Sequence, residues 1–205
     1  MMITAWALCA CLATIRAEVI NSVIEDYNCE VEYSSLTSGT CREQTTVTIL
    51  NENGVGAGHI VIHCDKFMSL EGFKGVITDV DGKEVKKLSK KDLKMTEASS
   101  SLSDDSYTYY YETYAPRYPY TVHYEVVQKI KNQSIAFAGF HAYDSRDQSV
   151  KRAHYSISVP KEVGLRYKEI NVSGVVKTQQ TADRITATVE MTDLPAIPTE
   201  VYSPS

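Results

Sequence analysis

The sequence has almost no helical periodicity. Apolar residues recur at a 3.6-residue spacing over no long stretch, and Val19 to Tyr27 is the one segment that could form an amphipathic helix. This excludes helical bundles and parallel sheets built from strand–helix–strand units. Positive charge is also short: 21 Lys and Arg against 26 Asp and Glu leave a net charge of -5. That balance argues against a nonspecific nucleic-acid binder. The one basic run, Lys83 to Lys94, is interrupted by Glu84 and Asp92 and reads as a solvated surface. Long apolar runs are missing too. Met1 to Ile15 is uncharged but too short to span a bilayer.

That short run, followed by Arg16-Ala17-Glu18, suits the apolar core of a secretory signal cleaved near Ala17. Residues 1–17 are therefore set apart as a signal peptide, although the usual Lys or Arg ahead of the core is missing. Leu8-Cys9-Ala10-Cys11 is also close to a bacterial lipoprotein cleavage box, which would make Cys11 a lipid anchor. A buried N-terminal helix is the remaining reading. The expected localisation is periplasmic or extracellular, with a membrane-anchored lipoprotein as the alternative. Cys29, Cys41 and Cys64 are left, an odd count. Cys29 and Cys41 could bridge two adjacent strands or stay as free buried thiols.

What is present is strand signal. Cys29 to Tyr33 and Thr45 to Leu50 alternate apolar and polar residues, and Asn51 to Gly54 is a turn signal with His59 to His63 as the returning strand. Gly75 to Val80 and Lys83 to Leu88 flank Asp81-Gly82, a strong hairpin signal. Ser89 can cap one helical turn over the following residues. Lys151 to Val159, Leu165 to Val172 and Arg184 to Met191 read as further strands, with loops at Thr96 to Asp105 and Ala142 to Ser149. There are no internal repeats. The expected fold is all-β: one enlarged antiparallel β-sandwich, immunoglobulin-like, over residues 18–194, with one or two short helical turns. Residues 195–205 read as a Pro-rich linker or edge segment.

Eight of the fourteen tyrosines fall between Ser106 and Val127. Tyr120, Val122, Tyr124 and Val126 share one face of a strand, which makes both tyrosines core residues. Pro116 and Pro119 force a bend ahead of that strand. Tyr107, Tyr109 and Tyr111 share a face and, with Tyr118, are the candidates for stacking on a sugar. A strand whose rings cover a neighbouring strand gives the same pattern.

Catalytic and metal motifs are weak. His63 and Cys64 are neighbours on a strand and point to opposite faces. His59 and His63 share a face but lie about 13 Å apart, too far for one zinc. Asp104-Asp105 and Asp144/Asp147 lack a calcium-loop spacing. Gly54, Gly56 and Gly58 have no helix after them to hold a phosphate. A hydrolase reading requires His141, Asp144 and a nucleophile to converge in one pocket. No catalytic residue, metal or cofactor is expected.

Five segments in order resemble one family. They are Val47 to Gly54 (VTILNENG), Val80 to Val85 with Leu88 and Asp92-Leu93, Tyr118 to Glu125 (YPYTVHYE), Tyr155 to Pro160 (YSISVP), and Leu194 to Glu200 with Pro204. Together they resemble domain-of-unknown-function family 3857, the N-terminal domain ahead of transglutaminase-like domains in bacterial, especially Bacteroidetes, secreted proteins. The resemblance implies an immunoglobulin-like sandwich in the cell envelope and offers no catalytic residue to carry over. It implies a non-catalytic accessory or interaction domain, with a transglutaminase-like domain or an envelope component as partner. A carbohydrate- or peptidoglycan-binding module using exposed tyrosines is the alternative. No nucleic acid is expected, and a membrane only if Cys11 is lipidated.

Overall fold

The computed structural model describes residues 20–97, 105–132, 140–170 and 173–199. The leader read as a signal, Cys11, most of the 96–105 loop and the end of the chain from residue 200 lie outside them. Among the described residues the strands are β1 (Ser22–Ser35), β2 (Ser38–Ile49), β3 (Ile60–Cys64), β4 (Met68–Thr78), β5 (Glu84–Ser89), β6 (Lys94–Glu97), β7 (Tyr107–Tyr111), β8 (Tyr120–Lys131), β9 (Gln148–Pro160), β10 (Lys177–Gln180) and β11 (Arg184–Leu194). Two short 3-10 helices, Glu52–Gly58 and Lys90–Asp92, interrupt them. An eight-stranded sheet runs β10-β11-β9-β1-β2-β8-β4-β5, and a three-stranded sheet runs β3-β7-β6. The enlarged all-β sandwich expected from the alternation is the architecture found. Within it one pair departs from the antiparallel rule: β1 and β9 run parallel.

Alternation builds the core. Ile24, Val47, Ile49, Ile77, Tyr120, Val122 and Val150 of the large sheet meet Ile60, Ile62 and Cys64 of β3 in one buried cluster. Full burial of an Ile or Val side chain stabilises by about 1.5–3 kcal/mol. A second cluster, with Cys29, Val31, Tyr33, Cys41 and Ile157, lies farther along the large sheet, where Val163, Leu165 and Val176 pack against it. Leu165 thus covers the sheet from outside any strand, and the segment 165–170 is not the strand expected there.

Two further expectations are corrected. The segment expected to be an amphipathic helix enters β1, where Glu25 forms a bulge between the Ile24/Val47 and Asp26/Thr46 pairs. The bulge moves the inward face from Ile24 to Tyr27 and Cys29, a step of three that imitates helical spacing. The Asn51–Gly54 turn does not close a hairpin. β2 pairs with β1 and β8, whereas β3 lies in the small sheet and pairs with β7. The turn therefore carries the chain from one layer to the other. The Asp81-Gly82 hairpin between β4 and β5 forms as expected, with Gly82 at φ +76. Ser89 caps the Lys90–Asp92 turn in a capping box with Asp92. The Pro116–Pro119 bend takes the chain from β7 back to β8, and the Tyr118–Pro119 bond is cis.

Candidate functional site

A cavity of about 490 Å³ opens where β3, the Glu52–Gly58 helix and the loop before β9 meet the large sheet. Its floor comes from three neighbouring strands: Tyr27 of β1, Glu43 of β2 and Tyr124 of β8. Their placement follows from register. Thr45 is opposite Tyr27 on one side and Tyr124 on the other, and Glu43 lies two residues before it on the same face. The walls are His59 at the end of the Glu52–Gly58 helix, His63 of β3, and His141, Asp144 and Ser145 of the loop.

Glu43 is a carboxylate on an inward sheet face. Burial pushes its carboxyl above the usual range, and the charge of Asp144 adds to that push. Two long contacts oppose it, from the Tyr124 hydroxyl at 3.4 Å and the Thr45 hydroxyl at 3.5 Å. Burial likewise raises the Tyr27 and Tyr124 hydroxyls far above a free tyrosine, with Glu43 contributing to both. Asp144 is exposed on the open side of the cavity, yet displaced water still raises its carboxyl, against the pull of His141. Among the described residues no Lys or Arg lines the cavity.

The loop is held in place by hydrogen bonds. Gln148, fully buried, accepts from the Asp144 N–H at 2.9 Å and donates to the Ser22 hydroxyl at 3.1 Å. The Tyr143 hydroxyl donates to the Pro195 carbonyl at 2.7 Å. The Glu52–Gly58 helix, which brings Gly56 and Ala57 to the cavity, is seated by Gly54, buried against Asn21, where a Cβ would lie 2.1 Å from the Asn21 carbonyl oxygen. Only a glycine lets the 3-10 helix approach β1 so closely.

The candidate stacking residues are placed differently. Tyr107, Tyr109 and Tyr111 are half-buried and pack on the main core. The Tyr107 and Tyr109 rings meet edge to face at 80°, with centroids 5.7 Å apart. Lysines cover part of the row: Lys86 donates to the Tyr111 hydroxyl at 2.9 Å, and Lys90 lies 5.7 Å from the Tyr109 ring. Tyr118 is 39% exposed and tilts on the buried Tyr120 instead of joining the other three. Cys29 and Cys41 are free buried thiols on adjacent strands with sulfurs 3.8 Å apart, and Cys64 is buried on β3. His141, Asp144 and Ser145 do line one cavity, and among the described residues no hydrogen bond links Ser145 to His141 or Asp144. Asp147 is bonded to Thr199 and does not join Asp144. Among the described residues no three ligating side chains gather around a metal position. The sequence reading passed over Glu43 and Tyr27. The signal for Glu43 was there, because Glu43 shares its parity with Val47 and Ile49.

Fold and cavity define a two-layer all-β domain with an acidic, tyrosine-floored cleft. The chain belongs to the domain-of-unknown-function family DUF3857, whose profile matches residues 37–198. No curated protein matches it by sequence. A solved structure described as a candidate protease from Parabacteroides distasonis ATCC 8503 superposes with a TM-score of 0.74 at 14% identity. That match covers 90% of this chain and 38% of the other, and at such identity it shows the fold alone. An M1 zinc metallopeptidase from Deinococcus radiodurans gives a TM-score of 0.38 at 9% identity, covering 86% of this chain and 40% of that one. A likeness that low carries no argument. The chain spans about two fifths of the length of these solved proteins.

Proposed function

We propose that the chain acts as a non-catalytic accessory β-sandwich that docks beside and positions a partner domain. One observation supports this most: the same fold occupies 38% of a longer Parabacteroides distasonis protein described as a candidate protease. A domain that recurs as one part of a larger protein is suited to serve the rest of it. The family resemblance supports a transglutaminase-like domain as that partner. The uncharged stretch Met1 to Ile15 supports placement in the cell envelope. The edge-to-face packing of Tyr107 on Tyr109 gives less support to a sugar-stacking platform.

The test mixes the chain with the separately expressed transglutaminase-like domain of a longer family member. Calorimetry reads binding, and peptidase and transamidation assays read turnover. The expected result is a saturable complex and no turnover by the chain alone. Turnover by the chain alone, or no complex, overturns the reading.

A further inference from the structure

The cavity floored by Tyr27, Glu43 and Tyr124 has a specific chemistry. We propose that it binds an organic cation, the ammonium or guanidinium head of an amine or a basic side chain. Four observations lead there. First, the cavity holds two carboxylates from separate elements, Glu43 of β2 and Asp144 of the loop, and among the described residues no Lys or Arg lines it. The site therefore sets two acidic side chains together with no Lys or Arg counter-ion among its described lining residues.

Second, Glu43 lies on an inward sheet face without an ion-pair partner among the described residues. A carboxylate withdrawn from water and left unpaired is unfavourable, and such groups mark sites that use them. A bound cation would relieve both the burial and the repulsion from Asp144 that disfavour its charge. Third, the floor on either side of Glu43 is aromatic. Tyr27 and Tyr124 come from the two strands that flank β2, and tyrosine faces attract organic cations through their ring quadrupole. Tyr27 is steadied by Phe140, with centroids 6.1 Å apart and planes at 27°. Fourth, the space fits. About 490 Å³ falls in the range of small-ligand pockets of roughly 300–1,000 Å³. Carboxylates beside aromatic faces favour a soft, alkylated cation over a bare metal ion, which needs several oxygen ligands at short range.

The test titrates the full chain, by calorimetry and by NMR of labelled protein, with cadaverine and with lysine- and arginine-containing tripeptides. The norleucine tripeptide, glutamate and calcium chloride serve as controls. The expected result is binding of the cationic probes alone. E43Q and D144N should each weaken it at least about tenfold, the loss of one charge-assisted hydrogen bond. E125Q, on the outer face, should leave it unchanged. Circular dichroism confirms that each variant is folded, and D144N decides if E43Q is not. Equal affinity for cadaverine and the peptides points to a free amine, and binding of the peptides alone points to a basic side chain. Both support the proposal. No binding of any cationic probe, equal binding of the norleucine peptide, or undiminished affinity in both E43Q and D144N overturns it.

Discussion

Thr199 donates to Asp147 twice, from its backbone N–H at 3.0 Å and from its hydroxyl at 2.7 Å. Asp147 has φ +55, and its own backbone closes two more contacts. Its N–H donates to the Ile197 carbonyl at 2.9 Å, and its carbonyl accepts from the Asn21 N–H at 2.7 Å. One residue thus joins the cavity loop, the entry to β1 and the segment after β11. A stretch whose composition reads as linker is bonded to the loop over residues 195–199.

This clasp should loosen in acid. Thr199 holds the Asp147 carboxyl below the usual range, first through its hydroxyl and then through its N–H. A depressed carboxylate stabilises the fold above its unfolded value of about 3.9. That contribution is lost as pH falls through the lower folded value. The protection of the Thr199 amide, relative to its intrinsic exchange rate at each pH, should drop below about pH 4 while β8 stays protected. Asp147→Ala should show fast exchange at Thr199 already at neutral pH. Exchange at Thr199 that does not respond to either change would mean the carboxylate does not hold the segment.

Glu43 has the opposite sign. Its folded carboxyl is raised, so the folded state binds the proton more tightly than the unfolded chain does. Stability should then fall as pH rises from the ordinary glutamate value of about 4.3 through the raised one. Groups facing it from neighbouring elements are Tyr27 on β1, Tyr124 on β8, His59 at the end of the Glu52–Gly58 helix, His63 on β3, and His141 and Asp144 on the loop. Glu43→Gln should therefore raise the thermal midpoint at neutral pH, and the gain should vanish below about pH 4. A midpoint lowered at every pH would show that Glu43 contributes packing or hydrogen bonds that outweigh its charge.

Gly54 is constrained by contact with Asn21. A Cβ there would meet the Asn21 carbonyl oxygen at 2.1 Å, a backbone atom that cannot swing aside. Gly54→Ala should destabilise by about 1–3 kcal/mol, the usual range for overpacking. Gly56 has nothing within 4 Å of its Cβ position, so Gly56→Ala is the matched control and should stay within about 0.5 kcal/mol. Urea midpoints of the two variants decide, and equal midpoints would remove the argument.

How far the sequence shows this molecule depends on how local the cause is. The face of β8 is legible because Tyr120, Val122 and Val126 keep strict period two, and they are buried. The start of β1 is not, because the bulge at Glu25 converts period two into steps that imitate a helix. The turn after β2 shows where the chain reverses but not which sheet it enters. Glu43 is legible by parity as a charge on an apolar face. Its meeting with Asp144 is not, because that depends on a loop about a hundred residues away, placed by Gln148 and the segment after β11.

Cys29 and Cys41 test the register of β1 on β2. Cys29 is opposite Glu43 and Cys41 opposite Val31, so the thiols are diagonal neighbours on one inward face. Hydrogen bonding to Cys29 and burial push the Cys41 thiol well above its free value, which makes it a poor nucleophile while folded. Native protein lacking residues 1–17 should react slowly with thiol reagents. After refolding with oxidised glutathione, Cys29 and Cys41 should be found crosslinked by peptide mapping, and Cys64 should label once the protein is denatured. A crosslink through Cys64 would contradict the pairing of these strands.

The tyrosine row on β7 separates packing from ligand stacking. Tyr107, Tyr109 and Tyr111 rest on the main core with their rings crossed or capped by lysines. A half-buried ring in that position stabilises the small sheet. Tyr109→Ala should therefore destabilise by roughly 1–3 kcal/mol, less than the 3–5 kcal/mol of a fully buried aromatic. Tyr118→Ala, at an exposed ring, should change stability by less than about 1 kcal/mol. A sugar platform makes the reverse forecast for binding: loss of glycan affinity in Tyr109→Ala with stability unchanged. Thermal midpoints measured beside a glycan-binding titration distinguish the two. A destabilised variant with no change in glycan response marks the row as the outer wall of the core.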